Sequence, residues 1–391
     1  MFNENNSKDR KLNKKKIAKF IISLVCIGLI VSSIILYIKN ERFREILDIY
    51  IFRKEVYENN LPTIKIDSNK NISTYAYNKY ISVLEENKLK LYNKMGREET
   101  SIDIEISTPI FEANGEYLGI AEKNGQKLYL VNNKNIAWQK DIEGKISQIN
   151  VNKNGYMSIV ISGTSHKAVI KVLDPNGNEL FTYYLSTTSV IDTDISNDNK
   201  YLAIAEVNFS GIVPQSAIKI ISIDEARNNS SEAIKYTCLA NANDLIVNIN
   251  YQNKNELVCM YDEHIDIFKE GENINVIDLK NDEALFADIS LSSKIVKVTK
   301  KSTGLFSAEA EMQIINGNTK DTSIYAVENV PKSILVQDNM IAVNLGTKVL
   351  FINSNGWLVK KYQSSQEIQK ILLCNDVAGI VSKNKIEIIS L

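Results

Sequence analysis

The stretch Asn199–Ala205 (NKYLAIA) decides the fold, because close variants of it recur along the chain. In each copy a polar turn residue, often Asn, is followed by a run of β-forming residues. Clear copies are Asn78–Leu84 (NKYISVL), Gly115–Ala121 (GEYLGIA) and Asn154–Val160 (NGYMSIV); weaker ones are Asn255–Cys259, Ser293–Val298, Asn339–Val343 and Asp376–Val381. Successive copies lie 37 to 56 residues apart, mostly near forty. A repeat of this length is typical of β-propeller blades.

A second run of alternating apolar residues follows each copy, for example Val169–Leu173 and Val349–Ile352. Turn sequences typical of hairpins, such as Asp174–Gly177 (DPNG) and Asn353–Gly356 (NSNG), come next. We name the four strands of a blade a, b, c and d in chain order, with the recurring stretch as strand b. The pattern predicts an all-β protein with an eight-bladed β-propeller over residues 62–391. Seven blades remain the alternative if one weak copy is not a strand b.

The two ends of the propeller sequence predict how its ring closes. The last blade has residues for strands a, b and c but none for strand d. A spare strand, Thr63–Asp67 (TIKID), precedes the first full blade. We expect it to supply the missing outer strand, since this would cover an exposed sheet edge and lock the ring.

An apolar run near the N-terminus predicts a membrane span. Phe20–Ile38 contains 19 residues without a charge, which at about 1.5 Å per residue crosses a bilayer core of about 30 Å. Seven basic residues precede it between Lys8 and Lys19, whereas the basic residues after it are interleaved with acidic ones. The positive-inside rule then predicts a single-pass cell-membrane protein with its tail, residues 1–19, in the cytoplasm and the propeller outside.

The rival interpretation of this run is a cleaved signal peptide. Such a peptide has an apolar region of about 7–15 residues that ends in a small-x-small site. The run here, residues 20–38, is longer and ends in Leu36–Lys39 (LYIK) without such a site, so we expect an uncleaved anchor. Residues 39–61 are expected to form a helical stalk, because their apolar residues follow helical spacing: Phe43, Ile46, Leu47, Tyr50 and Ile51.

The composition argues against a catalytic, cofactor or metal site. With 46 basic and 47 acidic residues, the formal charge of −1 leaves no basic surplus for nucleic acid. Beyond residue 60 there are two arginines, Arg97 and Arg227, too few for the arginine triad of sialidase propellers, and the chain has two histidines, His166 and His264. Glycine-rich phosphate loops and the G-x-S-x-G motif are absent. We therefore predict no catalytic, cofactor-binding or metal-binding residue, and we do not expect a small-molecule ligand.

Two local features suggest chemistry but are better explained by structure. Asp262–Asp266 (DEHID) is the densest titratable cluster, yet no partner motif accompanies it, so a solvated b–c turn is favoured over a metal or acid–base site. Trp138 and Trp357 could stack on a sugar. They fall in the second and seventh blades, so packing of outer strands is favoured.

Three b–c loops are longer than the others and indicate an interaction surface. In a propeller the b–c and d–a loops lie on one face, and the a–b and c–d loops on the other. The extended loops are 162–167, 208–216 and 301–308. Two of them carry apolar residues, which we predict to bind a partner: Phe209, Ile212, Val213, Leu305 and Phe306. The alternative is that these side chains pack back onto their own blades.

The whole plan resembles membrane-anchored proteins of low-GC Gram-positive bacteria that are known only as a domain of unknown function (DUF5711-like). The resemblance rests on the basic tail, the single span, the stalk and a propeller with Asn-Gly-type turns. The blades themselves resemble PQQ-like and WD40-like repeats. The resemblance implies the layout and an envelope location, and it supplies no catalytic residues.

Two functions from different classes follow. The leading hypothesis is a non-enzymatic scaffold, anchored by residues 20–38, that binds an envelope protein outside the cytoplasmic membrane. The alternative is a propeller that binds or hydrolyses cell-wall polysaccharide, which requires carboxylates or aromatic rings converging on the central funnel. A sensor that signals inward is a third possibility, limited by a cytoplasmic tail of about nineteen residues.

Overall fold

The computed structural model describes residues 14–39, 43–44, 47–52, 54–57, 61–67, 70–163, 165–252, 255–301, 309–374 and 376–391. The chain divides into two units, Met1–Glu55 and Val56–Leu391. The first unit contains the helix Lys14–Lys39. Its part Lys19–Lys39 is 21 residues long and is apolar enough to cross a membrane by length and composition.

In the described part of residues 43–54, the first unit contains a short π-helix. A five-residue π-helix, Leu47–Ile51, is fixed by the buried carboxylate of Asp48. This carboxylate accepts a hydrogen bond from the Tyr37 hydroxyl at 2.7 Å and lies 2.8 Å from the Lys54 ammonium. The helix expected over residues 39–61 does not reach its predicted end, because Glu55–Tyr57 is a strand. These three residues pair with the outer strand of a blade, so sheet pairing overrides the helical spacing.

The second unit consists of eight antiparallel sheets, which confirms the eight-bladed propeller. Blades 1 to 4 have the strands Ile72–Tyr77, Tyr80–Glu85, Lys88–Tyr92 and Glu98–Asp103; Pro109–Asn114, Tyr117–Glu122, Lys127–Asn132 and Asn135–Asp141; Lys145–Val151, Met157–Ser162, Ala168–Leu173 and Glu179–Leu185; and Ser189–Ile195, Tyr201–Asn208, Gln215–Ser222 and Ile234–Leu239. In blade 4 a short helix, Ile223–Ala226, capped by the Ser222 hydroxyl, connects strands c and d.

The second half of the ring repeats this plan. Blades 5 to 8 have the strands Ile246–Gln252, Glu256–Tyr261, His264–Lys269 and Glu272–Asp278; Ala284–Asp288, Lys294–Lys300, Ala310–Asn316 and Thr322–Val327; Ser333–Gln337, Met340–Asn344, Lys348–Asn353 and Leu358–Gln363; and Lys370–Cys374, Val377–Val381, Lys385–Ser390 and Thr63–Lys65. Glu55–Tyr57 is a fifth strand on the sheet of blade 7.

The recurring polar turn has a conformational cause. In seven blades the a–b turn places one residue at positive φ, which favours Asn and Gly over residues with larger side chains. These residues are Asn78, Gly115, Gly155, Asn199, Asn255, Ser293 and Asp338, with φ between 54° and 82°. The turn then directs the β-forming residues of strand b into the core.

The hydrophobic core lies between blades rather than within them. Eight clusters of buried side chains each join two successive blades, and together they close the circle. The cluster between blades 8 and 1 contains Ile64, Ile81 and Ile386. Every blade is therefore held on both faces by apolar packing.

Ring closure follows the sequence-based prediction. Thr63–Lys65 is the outer strand of blade 8 and pairs antiparallel with the last strand, placing Ile64 opposite Ile386. Ile64 is 4% exposed, whereas its neighbours Thr63 and Lys65 are exposed. One buried isoleucine and a three-residue ladder thus join the two ends of the propeller sequence.

We expect Ile64→Ala to destabilise the propeller by about 2–4 kcal/mol, because it leaves a cavity in the cluster that closes the ring. The measurement is urea unfolding of the full-length protein in detergent, followed by the fluorescence of Trp138 and Trp357. Lys65→Ala, in the same strand but with an exposed side chain, is the matched control. Equal unfolding midpoints for the two variants would show that this strand does not secure the ring.

Candidate functional site: an acidic channel and an apolar face

The b–c and d–a connections of the blades share one face of the propeller, which we call the long-loop face. Three of its b–c connections are extended: residues 163–167 in blade 3, 209–214 in blade 4 and 301–309 in blade 6. The predicted partner-binding residues Leu305 and Phe306 lie outside the described residues. The other three, Phe209, Ile212 and Val213, lie in the loop of blade 4.

These three side chains are exposed rather than packed on their own blade. Phe209 is 58% exposed, Ile212 is fully exposed and Val213 is 42% exposed. Strand pairing places Leu239 opposite Ala217, close to this loop, and Leu239 is 68% exposed. Leu245 and Val247 are also exposed. We call these six residues the apolar patch.

Hydrogen bonds around the buried Ser216 hold the two halves of the apolar patch together. Its hydroxyl donates to the Asp244 carbonyl at 2.8 Å and accepts from the Ile246 amide at 3.1 Å. Its carbonyl accepts from the Ala240 amide at 3.1 Å. The connection between blades 4 and 5 is thereby fixed beside the loop 209–214.

Sequence reasoning missed the part of the patch contributed by Leu239, Leu245 and Val247, and a β-bulge accounts for Val247. Strand a carries a register shift in blades 3, 4, 5 and 6, at Ser147, Ile191, Val247 and Leu285. A bulge turns the extra residue out of the sheet. In blades 4, 5 and 6 that residue is apolar; Ile191 packs against the cluster between blades 4 and 5, whereas Val247 and Leu285 are exposed.

The first strands of the blades surround a central cavity of about 450 Å³. Strand pairing identifies one position per blade at mid-height, which we call the channel ring: Tyr75, Glu112, Asn150, Asp194, Asn250, Asp288, Leu335 and Leu372. All except Asp288 line the cavity. From blade 2 to blade 6 the ring alternates acid and amide, and in blades 7, 8 and 1 it is apolar or aromatic.

Most polar groups around the channel bind the backbone of the next blade. Asp192 and Asp194 of blade 4 accept hydrogen bonds from the Ile249 and Tyr251 amides of blade 5, at 3.0 and 2.5 Å. Other blade junctions use amide or ammonium donors: Gln148 to the Ile191 carbonyl at 2.8 Å, Asn250 to the Ile289 carbonyl at 2.7 Å and Lys370 to the Thr74 carbonyl at 2.6 Å. These polar side chains therefore link successive blades along the channel.

Glu112 is the exception. Among the described residues its carboxyl group has no hydrogen-bond or ion-pair partner. Burial raises its pKa to about 8, and the charges of Asp192 and Asp194 add to the shift. Burial also raises the pKa of Asp194 to about 7 and that of Asp192 to about 6, although the backbone amides they accept from act in the opposite direction. At neutral pH Glu112 is therefore mostly protonated.

The structure describes the surroundings of the two local features that the sequence analysis considered. His264 begins strand c of blade 5, stacks on Tyr261 with ring centroids 4.7 Å apart and lies 3.6 Å from the Asp266 carboxylate. In the described part of the chain no three His, Cys, Asp or Glu side chains are arranged to hold a metal. The Trp138 indole donates to the Pro175 carbonyl of the next blade at 3.1 Å, and Trp357 is exposed in blade 7, three blades away around the ring.

Comparisons with known proteins agree with this fold. Residues 53–391 match the model of a family described as "Family of unknown function (DUF5711)", which confirms the resemblance drawn from the layout. No curated protein matches the sequence.

Solved structures of similar fold include BamB from Moraxella catarrhalis, with a TM-score of 0.47 and 13% identity over 83% of this chain and 95% of that chain. Sqt1 from Chaetomium thermophilum, bound to the N-terminus of ribosomal protein L10, has a TM-score of 0.53 and 9% identity over 85% and 100%. The Swd1 β-propeller domain from Myceliophteria thermophila has a TM-score of 0.43 and 10% identity over 84% and 99%. At these identities the similarity concerns the fold alone.

The channel carboxyls predict an inverse dependence of stability on pH. Because Glu112, Asp194 and Asp192 have raised pKa values in the folded state, that state binds more protons than the unfolded chain. The contribution of these three groups to stability is then greatest below the unfolded pKa values of about 4 and is lost as pH rises through the folded values. Glu112→Gln should therefore raise the free energy of unfolding by at least about 1 kcal/mol at about pH 9.

Urea unfolding of the full-length protein at about pH 6 and about pH 9 measures this effect. Glu143→Gln, an exposed acid between blades 2 and 3, is the control and should leave the pH dependence unchanged. A Glu112→Gln variant with the pH dependence of the wild type would mean that Glu112 is already ionised at neutral pH.

Proposed function

The chain belongs to DUF5711, a family of unknown function, and we propose that it is a non-enzymatic scaffold that holds an envelope protein outside the cytoplasmic membrane. The observation that carries this proposal is the apolar patch on the long-loop face. Six exposed apolar side chains come from the b–c loop of blade 4 and from the adjacent connection between blades 4 and 5 with the strand ends that flank it. The hydrogen bonds of Ser216 fix this connection beside the loop. Exposed apolar surface of this kind marks a protein-binding site more often than a catalytic one.

The candidate membrane span supports the anchored part of the proposal. The helix Lys14–Lys39 contains a 21-residue apolar stretch whose side chains are exposed in the described chain. A lipid environment would cover them. We propose that this helix is an uncleaved anchor, with residues 1–19 in the cytoplasm and the propeller outside.

The fold is compatible with binding a peptide or protein. Sqt1, which has a similar fold, was solved with the N-terminus of a ribosomal protein bound to it. The bound peptide is a property of Sqt1, and this chain shares with Sqt1 only the fold. The partner-binding role therefore rests on the exposed residues of this chain.

We do not propose the polysaccharide alternative, although carboxyl groups do converge on the channel as it required. Glycoside hydrolysis needs two carboxyl groups free to act on one bond. Asp192 and Asp194 already accept hydrogen bonds from backbone amides of the next blade. On the side of the cavity that carries Glu112, the channel ring therefore has no second carboxyl group free to act with it. The two tryptophans lie in blades 2 and 7 and do not form a sugar-stacking pair.

We expect Phe209→Ser combined with Ile212→Ser to abolish partner binding while leaving folding intact, because both side chains are largely exposed. The measurement is photo-crosslinking in intact cells from a reactive residue at position 213, followed by purification of the adduct and reciprocal capture with the tagged partner. Ile324→Ser, which removes an apolar side chain 53% exposed on the outer strand of blade 6, is the matched control. A discrete adduct that persists in the double variant, or one that is lost equally with Ile324→Ser, would contradict the proposed surface.

The anchor and its orientation make a second prediction. Alkaline phosphatase fused after Leu391 should be active, since the propeller is proposed to lie outside the membrane. An epitope tag before Met1 should stay on the full-length membrane-bound protein, because the span is proposed to be uncleaved. Release of a shorter protein without the tag would identify a signal peptide, and an inactive fusion would reverse the orientation.

A further inference from the structure

The central cavity offers more hydrogen-bond acceptors than the protein satisfies. The Oδ1 atom of Asn150, on the channel ring, is fully buried and has no donor among the described residues. Its own amide nitrogen is used by the Asp194 carboxylate. The Oε1 atom of Gln148, two residues earlier on the same strand face, is also buried without a donor, although Gln148 does not itself line the cavity. Buried acceptors without donors are costly, and they point to a donor that enters the cavity.

The Glu112 carboxyl group lies on the same wall. It comes from the neighbouring blade at the same level as Asn150, and it has no partner among the described residues. The cavity therefore presents a free carboxyl and a free amide oxygen side by side, from blades 2 and 3. Together they suit a group that carries several N–H donors.

The opposite wall is apolar. Leu335 of blade 7 occupies the channel-ring position across from Asn150 of blade 3, and Leu372 of blade 8 occupies the position across from Asp194 of blade 4. Tyr75 of blade 1 completes this half. Tyr75 stacks on Phe111 with ring centroids 5.4 Å apart, so its ring is held in place. A ligand that fits both walls must combine a donor-rich head with a hydrocarbon chain.

We propose that the central cavity binds an aliphatic ammonium group, with the Glu112 carboxylate and Asn150 Oδ1 accepting its N–H donors and Leu335 and Leu372 in contact with its methylene chain. A metal ion does not fit, because the described residues offer no group of three ligands. The ammonium belongs either to a free small amine or to a lysine side chain of a protein. The cavity extends toward the a–b turns at Asn114, Asn197 and Asp338, so this site is separate from the long-loop face and does not depend on the proposed scaffold role.

Charged groups around the cavity set the pH at which binding occurs. Asp192 and Asp194 of blade 4 and Tyr75 of blade 1 face Glu112. The remaining wall carries Asp338, Lys153 and Lys370. The Lys370 ammonium donates to the Thr74 carbonyl, and within the described chain it forms no ion pair with a carboxylate. Because the pKa of Glu112 is raised to about 8, an ammonium ligand must displace its proton at neutral pH, and the affinity should rise with pH up to that value.

Isothermal titration of the full-length protein in detergent with butylammonium tests the proposal, with 1-butanol as the neutral probe of the same shape. We expect saturable binding of butylammonium that is at least about tenfold weaker at about pH 6.5 than at about pH 8.5, and no measurable binding of 1-butanol. Glu112→Gln should weaken binding at the higher pH at least about tenfold and remove most of the pH dependence. Glu143→Gln, outside the cavity, should bind like the wild type.

A second pair of probes distinguishes the two sources of the ammonium. Tighter binding of a capped Gly-Gly-Lys-Gly-Gly peptide than of butylammonium supports a lysine side chain, and tighter binding of 1,5-diaminopentane supports a free amine. Absence of saturable binding by all three amines at both pH values would overturn the proposal. So would equal affinities for butylammonium and 1-butanol, or an unchanged affinity in a Glu112→Gln variant whose melting curve shows it to be folded.

Discussion

The structure depends on the requirement that eight separate sheets close into one ring. Each blade is a sheet of four or five short strands, and its apolar side chains become buried only when both neighbours are present. The eight inter-blade clusters meet this requirement on the outside of the channel, and polar side chains meet it on the inside by bonding to the backbone of the next blade. Loss of contact at one junction therefore affects the whole circle.

The same requirement explains the unusual chemistry of the channel. A carboxylate that accepts one amide of the next blade and one amide of its own strand is a strong connection, and this describes both Asp192 and Asp194. Burial raises the pKa values of Asp192, Asp194 and Glu112, and the charges of the two aspartates add to the shift of Glu112, which lacks such a connection. The two carboxylates that link blade 4 to blade 5 therefore contribute to the electrostatic potential at Glu112 of blade 2. The same carboxylates thus hold the blades together and shape the chemistry of the channel.

Much of the fold could be predicted because its signals are local. The a–b turns need positive φ, so Asn and Gly mark them at residues such as Asn78 and Asn199, and the period of about forty follows. The closing strand at Thr63–Lys65 could be predicted because strand counting left one blade incomplete. The exposed loop residues Phe209, Ile212 and Val213 could be found from loop length, whereas their binding role stays a prediction.

The features that could not be predicted from the sequence depend on strand register and on pairing between distant segments. The bulges at Val247 and Leu285 shift strand a by one residue, and a one-residue shift exchanges the faces of a strand. The alternation of acid and amide around the channel is visible only once each strand a is aligned on its own strand b. Glu55–Tyr57 was expected to be helical from the apolar spacing of the residues before it. Its pairing could not be read from local sequence, because its partner strand lies about 300 residues further along the chain.

The closing strand also imposes an order on biosynthesis. Ile64 and its partner Ile386 are 322 residues apart, so at ordinary translation rates Thr63–Lys65 waits roughly 15 to 65 s for the segment it pairs with. During that interval a nascent chain could capture the wrong partner, such as the same segment on an adjacent ribosome. Pro62, directly before this segment, lacks an amide donor, and Lys65 within it has an exposed charged side chain. Both features disfavour pairing with a wrong strand. The ring can therefore close only after the strand Lys385–Ser390 of the last blade has been translated.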